Sequence, residues 1–178
     1  MKMYLKGNID IKKLIYLSLL AAQAVLLSVI ETQLPVPAGV PGIKPGLAGI
    51  VTIVSLVFFS FSDAVLIILI RSVISSLFMG GPVMFMFSIC GGILSAAVMW
   101  IMLKYVRKFF SFTGISIAGA VAHNTGQIAV ACFIMSDLSV AAYLPVLLVS
   151  GILTGGFMGI CGTFMIKALK KLNLIEYI

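Results

Sequence analysis

Residues 64–104 read AVLIILIRSVISSLFMGGPVMFMFSICGGILSAAVMWIMLK, and their only charges are Arg71 and the final Lys104. A membrane-spanning helix needs about 20 consecutive, mostly apolar residues. This stretch is long enough for two, and Gly80-Gly81-Pro82 in its middle is where a helix breaks. Upstream the pattern is the same: between Lys44 and Lys104 only Asp63 and Arg71 are charged. Downstream, between Lys108 and Lys167, there is only Asp137, with the single His123. The 178 residues are 62% apolar and 10% charged, with a mean hydropathy of +1.24. Soluble domains are about 45–50% apolar and about 25% charged. A soluble domain of this size leaves much of its surface in water and has no room to hide so much apolar area. Lipid is therefore the solvent for most of the chain. Disorder, a secreted disulfide scaffold and an ordinary soluble enzyme are excluded.

Breakers divide the chain into six apolar runs. They cover about 14–30, 46–61, 64–79, 83–103, 112–135 and 140–166. The first ends at Glu31-Thr32-Gln33, before a loop over 31–45 with Pro35, Pro37, Gly39, Pro41, Gly42 and Pro45. Ser62-Asp63 reads as a turn and helix cap, and Ser136-Asp137 as the end of the fifth run. The expected fold is an all-α integral membrane protein, a single domain of six transmembrane helices. The alternative is that the second and third runs form one re-entrant hairpin.

Basic residues orient the bundle. Lys2, Lys6, Lys12 and Lys13 precede the first run, Lys104, Arg107 and Lys108 follow the fourth, and Lys167, Lys170 and Lys171 end the sixth. An even number of spans puts all of these on one side, with both termini cytoplasmic. Lys44 falls opposite, and Arg71 inside a span. This topology accounts for the formal charge of +7 without nucleic acid, since no interleaved aromatic surface accompanies the basic clusters. The basic start before an apolar run looks like a signal peptide, but no small-x-small site follows closely. An uncleaved first helix is expected, with residues 1–13 as a cytoplasmic segment, in the cell membrane.

Small residues mark packing faces. Gly151, Gly155 and Gly159 lie four apart in the sixth run, with Thr163 continuing the row. Ala118, Ala122 and Gly126 in the fifth, and Ser88, Gly92 and Ala96 in the fourth, repeat the spacing. Such rows let helix backbones approach closely in lipid. Ser18, Ala21, Ala22 and Ala24 give the first helix a comparable surface, which serves either the bundle or a separate membrane subunit.

Candidate chemistry is sparse. The three aspartates, Asp10, Asp63 and Asp137, are far apart, so the aspartate-rich motifs that hold magnesium in prenyl diphosphate synthases are missing from the sequence. There is no nucleophile elbow and no phosphate-binding glycine loop. Cys90, Cys132 and Cys161 lie in apolar runs and read as small buried hydrophobes. No metal, cofactor or catalytic residue is expected. Three polar features remain. Arg71, mid-span with Ser75 one turn on and Ser72 and Ser76 nearby, is either an anion clamp or a structural tie. His123 and Gln127 share a face of the fifth helix, with Asn124 one step round. They read as a ligand-facing patch or as interhelical hydrogen bonds. Glu31 and Lys44 flank the long outer loop, which is either a lid or a solvated connection. Tyr143 is an interface anchor or a cavity wall, and Met84 and Phe85 are candidate apolar wall.

Two of these segments carry a resemblance. Val40-Pro41-Gly42-Ile43-Lys44-Pro45-Gly46-Leu47-Ala48-Gly49-Ile50-Val51-Thr52 resembles the PG-hydrophobic-K-x-G-L-A-N-I-V-T signature of the Gx transporter family, also labelled heptaprenyl diphosphate synthase component I. Gly119-Ala120-Val121-Ala122-His123-Asn124-Thr125-Gly126-Gln127 resembles its G-A-V-A-H-N-x-G-Q signature. Leu144-Pro145-Val146-Leu147-Leu148 and Gly151-Ile152-Leu153-Thr154-Gly155 also fit, so the likeness runs from about Leu14 to Leu169. Pro45 stands where the family has Leu, and Gly49 where it has Asn.

The family in turn resembles the substrate-binding S-components of energy-coupling factor (ECF) vitamin transporters. The resemblance implies six helices, an outward pocket under the loop after the first helix, and small residues of that helix docking a coupling subunit. A coupling subunit and ATPases are then the partners, and the ligand is small and anionic or amphipathic. The family's association with quinone synthesis and flavin-based electron transfer implies an isoprenoid, quinone-precursor or flavin-like molecule. The other label implies a non-catalytic membrane subunit serving a prenyl transferase. A third reading is a membrane anchor in an electron-transfer complex.

Overall fold

The structure, a computed structural model, describes residues 11–33, 46–79 and 81–171. Lys44, Pro45 and most of the Pro/Gly-rich loop, together with the N-terminal segment before residue 11, lie outside the described residues. The described chain forms six α-helices: α1 (Ile11–Gln33), α2 (Gly49–Phe58), α3 (Phe61–Met79), α4 (Gly81–Ile101), α5 (Phe112–Met135) and α6 (Leu144–Lys171). A π-helical turn (Met102–Val106) extends α4, and a 3₁₀ turn (Leu138–Tyr143) precedes α6. No strand occurs among the described residues. Five helices, all but α2, are long and apolar enough to cross a membrane.

The second apolar run is where sequence and structure part. It reads as a full span, but only ten residues of it are helical. Gly46 turns the chain at φ +84°, a left-handed value that favours glycine. At the other end Phe59 is extended, at φ −130° and ψ 178°. Ten residues rise about 15 Å, half of a hydrocarbon core of about 30 Å. What α2 lacks in length it makes up in burial. Seven of its residues are buried, and it touches each of the other five helices. The long helices are arranged around it in the order α1, α3, α4, α5, α6.

The cap of α3 also sits elsewhere than expected. Ser60, not Ser62, is the cap. Its Oγ accepts the Asp63 N–H at 3.4 Å, and Asp63 Oδ2 accepts the Ser60 N–H at 3.0 Å. This is a capping box with aspartate in the return position. Lys13 Nζ completes it, 2.8 Å from Asp63 Oδ2, and ties the start of α1 to the start of α3. Higher up, Arg71 Nη1 of α3 donates to Ser28 Oγ of α1 at 3.4 Å. The two helices therefore run parallel, with α2 descending between them. At the far end of α5, Ser136 takes a left-handed φ of 50° and Asp137 accepts from Ser139 N at 2.8 Å. The Ser139 hydroxyl and N–H hold the Asp137 carboxyl below its ordinary range.

The starts of α1, α3 and α5 and the ends of α4 and α6 meet at one end of the bundle. Phe61 packs against Trp100 with the rings tilted and their centroids 5.4 Å apart, Lys104 lies over Trp100, and Arg107 and Lys170 lie over Phe112. The described basic clusters thus share one face of the protein.

Glycine rows close the α5–α6 seam. A Cβ on Gly155 would fall 2.7 Å from Ile117 Cα, and one on Gly159 would fall 2.5 Å from Thr113 Cα. Gly126 packs α5 on α4 in the same way, 3.0 Å from Gly91 Cα. Two expectations need correction. Ala21 and Ala24 point into the core, so only Ser18 and Ala22 of the proposed docking set face outward. The inward face is the one that carries Ser28 and Glu31, one and two turns beyond Ala24. Cys90 is exposed rather than buried, while Cys132 and Cys161 are partly buried.

Candidate functional site

The bundle's cavity lies at mid-height, where α2 begins. Arg71 of α3 and His123 of α5 both line it. Their neighbours are Thr52 of α2, Ser95 of α4 and Ser116 of α5, with the thioethers of Met99 and Met158 as its apolar wall. Its volume is about 10 Å³, the lower limit for one water molecule.

Glycines place the two key side chains. Gly91 and Gly92 are adjacent on α4. A Cβ on Gly91 would lie 3.0 Å from the His123 ring, and one on Gly92 would lie 2.9 Å from Arg71 Nη2. A Cβ on Gly46 would lie 3.4 Å from the imidazole Cδ2. Gly46, before α2, and His123 of α5 are therefore neighbours in the cavity wall. Glycine also makes room for the thioethers. Met99 lies in the notch of Gly119, and Met158 Sδ would be 3.2 Å from a Cβ on Gly49. The absence of a side chain at Gly49 leaves that space to Met158.

Arg71 is 4% exposed and Glu31 2%. The Glu31 carboxylate is close enough to attract the guanidinium, and its Oε1 accepts the Ala48 N–H at 3.2 Å. One carboxylate from the top of α1 thus serves the start of α2 and the field at Arg71. The cluster is not fully satisfied: Arg71 Nε and Ser75 Oγ are buried without a hydrogen-bond partner among the described residues. Ser72 instead pairs with Ser88 at 2.8 Å. Leaving buried donors unpaired is costly, and in lipid no water is at hand to repair it.

The other candidates divide. Asn124 does not line the cavity. Its Nδ2 donates to the Leu147 carbonyl at 2.7 Å, a structural tie between α5 and α6. Gln127 is buried one turn beyond His123, also away from the cavity, and its Oε1 has no partner. Tyr143 is exposed and does not line the cavity, so it fits the interface-anchor reading. Met84 and Phe85 are not in the wall, which Met99 and Met158 form.

A family profile for heptaprenyl diphosphate synthase component I matches residues 20–165. The chain belongs to this family. Neither a curated protein nor a solved structure gives a match. The matched range contains Glu31 and all the residues that line the cavity, Arg71 and His123 among them. Sequence reasoning missed Ser28, Thr52, Ser95 and Ser116. Ser28 alone had a signal, lying one turn before Glu31 within an apolar helix.

Proposed function

We propose that the protein is a membrane-embedded substrate-binding subunit, like the S-component of an ECF transporter, that captures a small anionic or amphipathic ligand beside Arg71 and His123. The observation that carries this reading is the buried, partly unsatisfied Arg71 on the wall of a cavity shared with His123. An ionised group inside a membrane domain is costly and ordinarily faces a ligand path or a partner. Arg71 neutralises the ligand's charge, and His123, Ser95 and Ser116 orient it. Met99 and Met158 are unbranched and flexible, and they move aside to admit it. In this reading the chain lies in the cell membrane with its basic face in the cytoplasm, both termini on that side, and α2 completing a six-helix S-component arrangement. Coupling comes from a membrane subunit against Ser18 and Ala22, and energy from ATPases.

The family name favours a second reading, a non-catalytic subunit that presents a polyprenyl substrate to a soluble prenyl transferase. The missing aspartate pairs suit an accessory role. Mass spectrometry of small molecules extracted from gently purified protein separates the two. A water-soluble anion present in stoichiometric amount, and lost from Arg71→Ala while the fold persists, is the expected result. A polyprenyl diphosphate in its place moves the assignment to isoprenoid handling. An unchanged ligand in the variant removes Arg71 from the site.

A further inference from the structure

The basic end of the bundle holds a second constellation, far from the cavity. Past Ile101 the helix widens into the π turn, and the extra residue rotates the rest of the segment by about 100° around the axis. Lys104 comes to lie over the rings of Trp100, at 4.8 Å, and Tyr105, at 5.4 Å. Arg107 then lies over the ring of Phe112, its Cζ 4.7 Å from the centroid. Lys170, from the last turn of α6, reaches the same ring, with Nζ at 5.8 Å. Two cations from different segments thus share one aromatic platform, close enough to repel each other. A cation favours a helix C-terminus, which accounts for Lys170 being in the last turn. It does not account for Arg107 meeting it on one ring.

The surroundings point to lipid. Lys108, Lys167 and Lys171 add positive charge nearby in sequence. Phe109 is 83% exposed beside the pair, and Phe110 and Tyr105 are exposed too. Aromatic rings of this kind settle at the headgroup level of a bilayer. On α6 the exposed Phe164, Ile160 and Phe157 continue from Lys167 as an apolar stripe down the helix. Charge above an apolar track matches a molecule that is anionic at one end and aliphatic along the rest.

We propose that Arg107 and Lys170, held on Phe112, bind the phosphodiester of an anionic phospholipid whose acyl chains lie along α6. The test is native mass spectrometry of the full chain released from nanodiscs containing phosphatidylglycerol and phosphatidylcholine. Arg107→Gln and Lys170→Gln should each lower retained phosphatidylglycerol about fivefold, and the double variant about thirtyfold. Lys12→Gln, on the same face but a different helix, should leave retention unchanged. Equal losses in Lys12→Gln would mean a diffuse surface field and overturn the site, as would undiminished retention in the double variant. Inorganic phosphate that displaces the lipid at millimolar concentration would assign the pair to a free anion instead. Should the double variant fail to fold, Phe112→Leu keeps both charges and removes their platform. It should still lose the preference for phosphatidylglycerol, and an unchanged preference overturns the proposal.

Discussion

The α5–α6 seam and the α1–α3 face are built from the same materials, small residues and a few polar groups inside lipid, yet they end in opposite states. Along the seam the backbones pack closely and a polar side chain is tied across it. Gly155 and Gly159 leave no room for a Cβ beside the α5 backbone, and Asn124 Nδ2 donates to the Leu147 carbonyl at 2.7 Å. On the α1–α3 face the matching is incomplete. Arg71 has Ser28 and the field of Glu31, but its Nε and the hydroxyl of Ser75 have no partner. A seam that only has to hold needs no spare hydrogen-bonding capacity. The α1–α3 face keeps some, at Arg71, and Arg71 lines the cavity.

The contrast is broken most directly at Gly159. Gly159→Leu drives a side chain into Thr113 Cα, which is backbone and has little freedom to yield. The expected loss exceeds about 3 kcal/mol, seen as loss of the monodisperse folded species on size exclusion. Gly156, three residues away, has open space at its Cβ position, and Gly156→Leu should keep that species intact.

The opposite face is tested by charge rather than volume. Arg71→Met removes the guanidinium from the field of the buried Glu31, and Glu31→Gln removes the carboxylate from the field at Arg71. Each should cost about 3 kcal/mol in thermal or denaturant unfolding. The double variant should cost less than the sum of the two, by about 1–3 kcal/mol. Strict additivity would dissolve the idea that the two charges share one field. The smallest effect is expected from Asn124→Ala, about 1 kcal/mol. It should leave ligand retention as it is, because Asn124 holds the seam and is not in the cavity wall.

Much of this was legible in the residues. The fifth run, 112–135, is α5 to the residue, because Ser111 and Ser136 are strong local stop signals in the chain. The glycine row of α6 packs as its spacing implies. Arg71 and His123 stood out as polar groups in apolar runs, and they share a cavity. What was not legible depends on depth and on the inward direction. His123 and Gln127 lie on one helix face, but only the first is level with the start of α2. Ser18 and Ala24 are both small residues of α1, and size alone does not separate the exposed one from the buried one; the polar Ser28 and Glu31 on the face of Ala24 do. The half-length of α2 was hidden because hydropathy counts apolar residues and does not register a chain that turns at Gly46.

That shortened helix has a consequence for how the protein is made. Ten residues are too few to be released into the bilayer as a span of their own during synthesis. The surface that buries α2 comes from five helices, of which four are translated after it. The segment must therefore wait, and it finds its place only when α6 has emerged. Maturation in the membrane is then a late event governed by the C-terminal half of the chain. A ribosome stalled before α6 would hold a protein with its cavity unassembled.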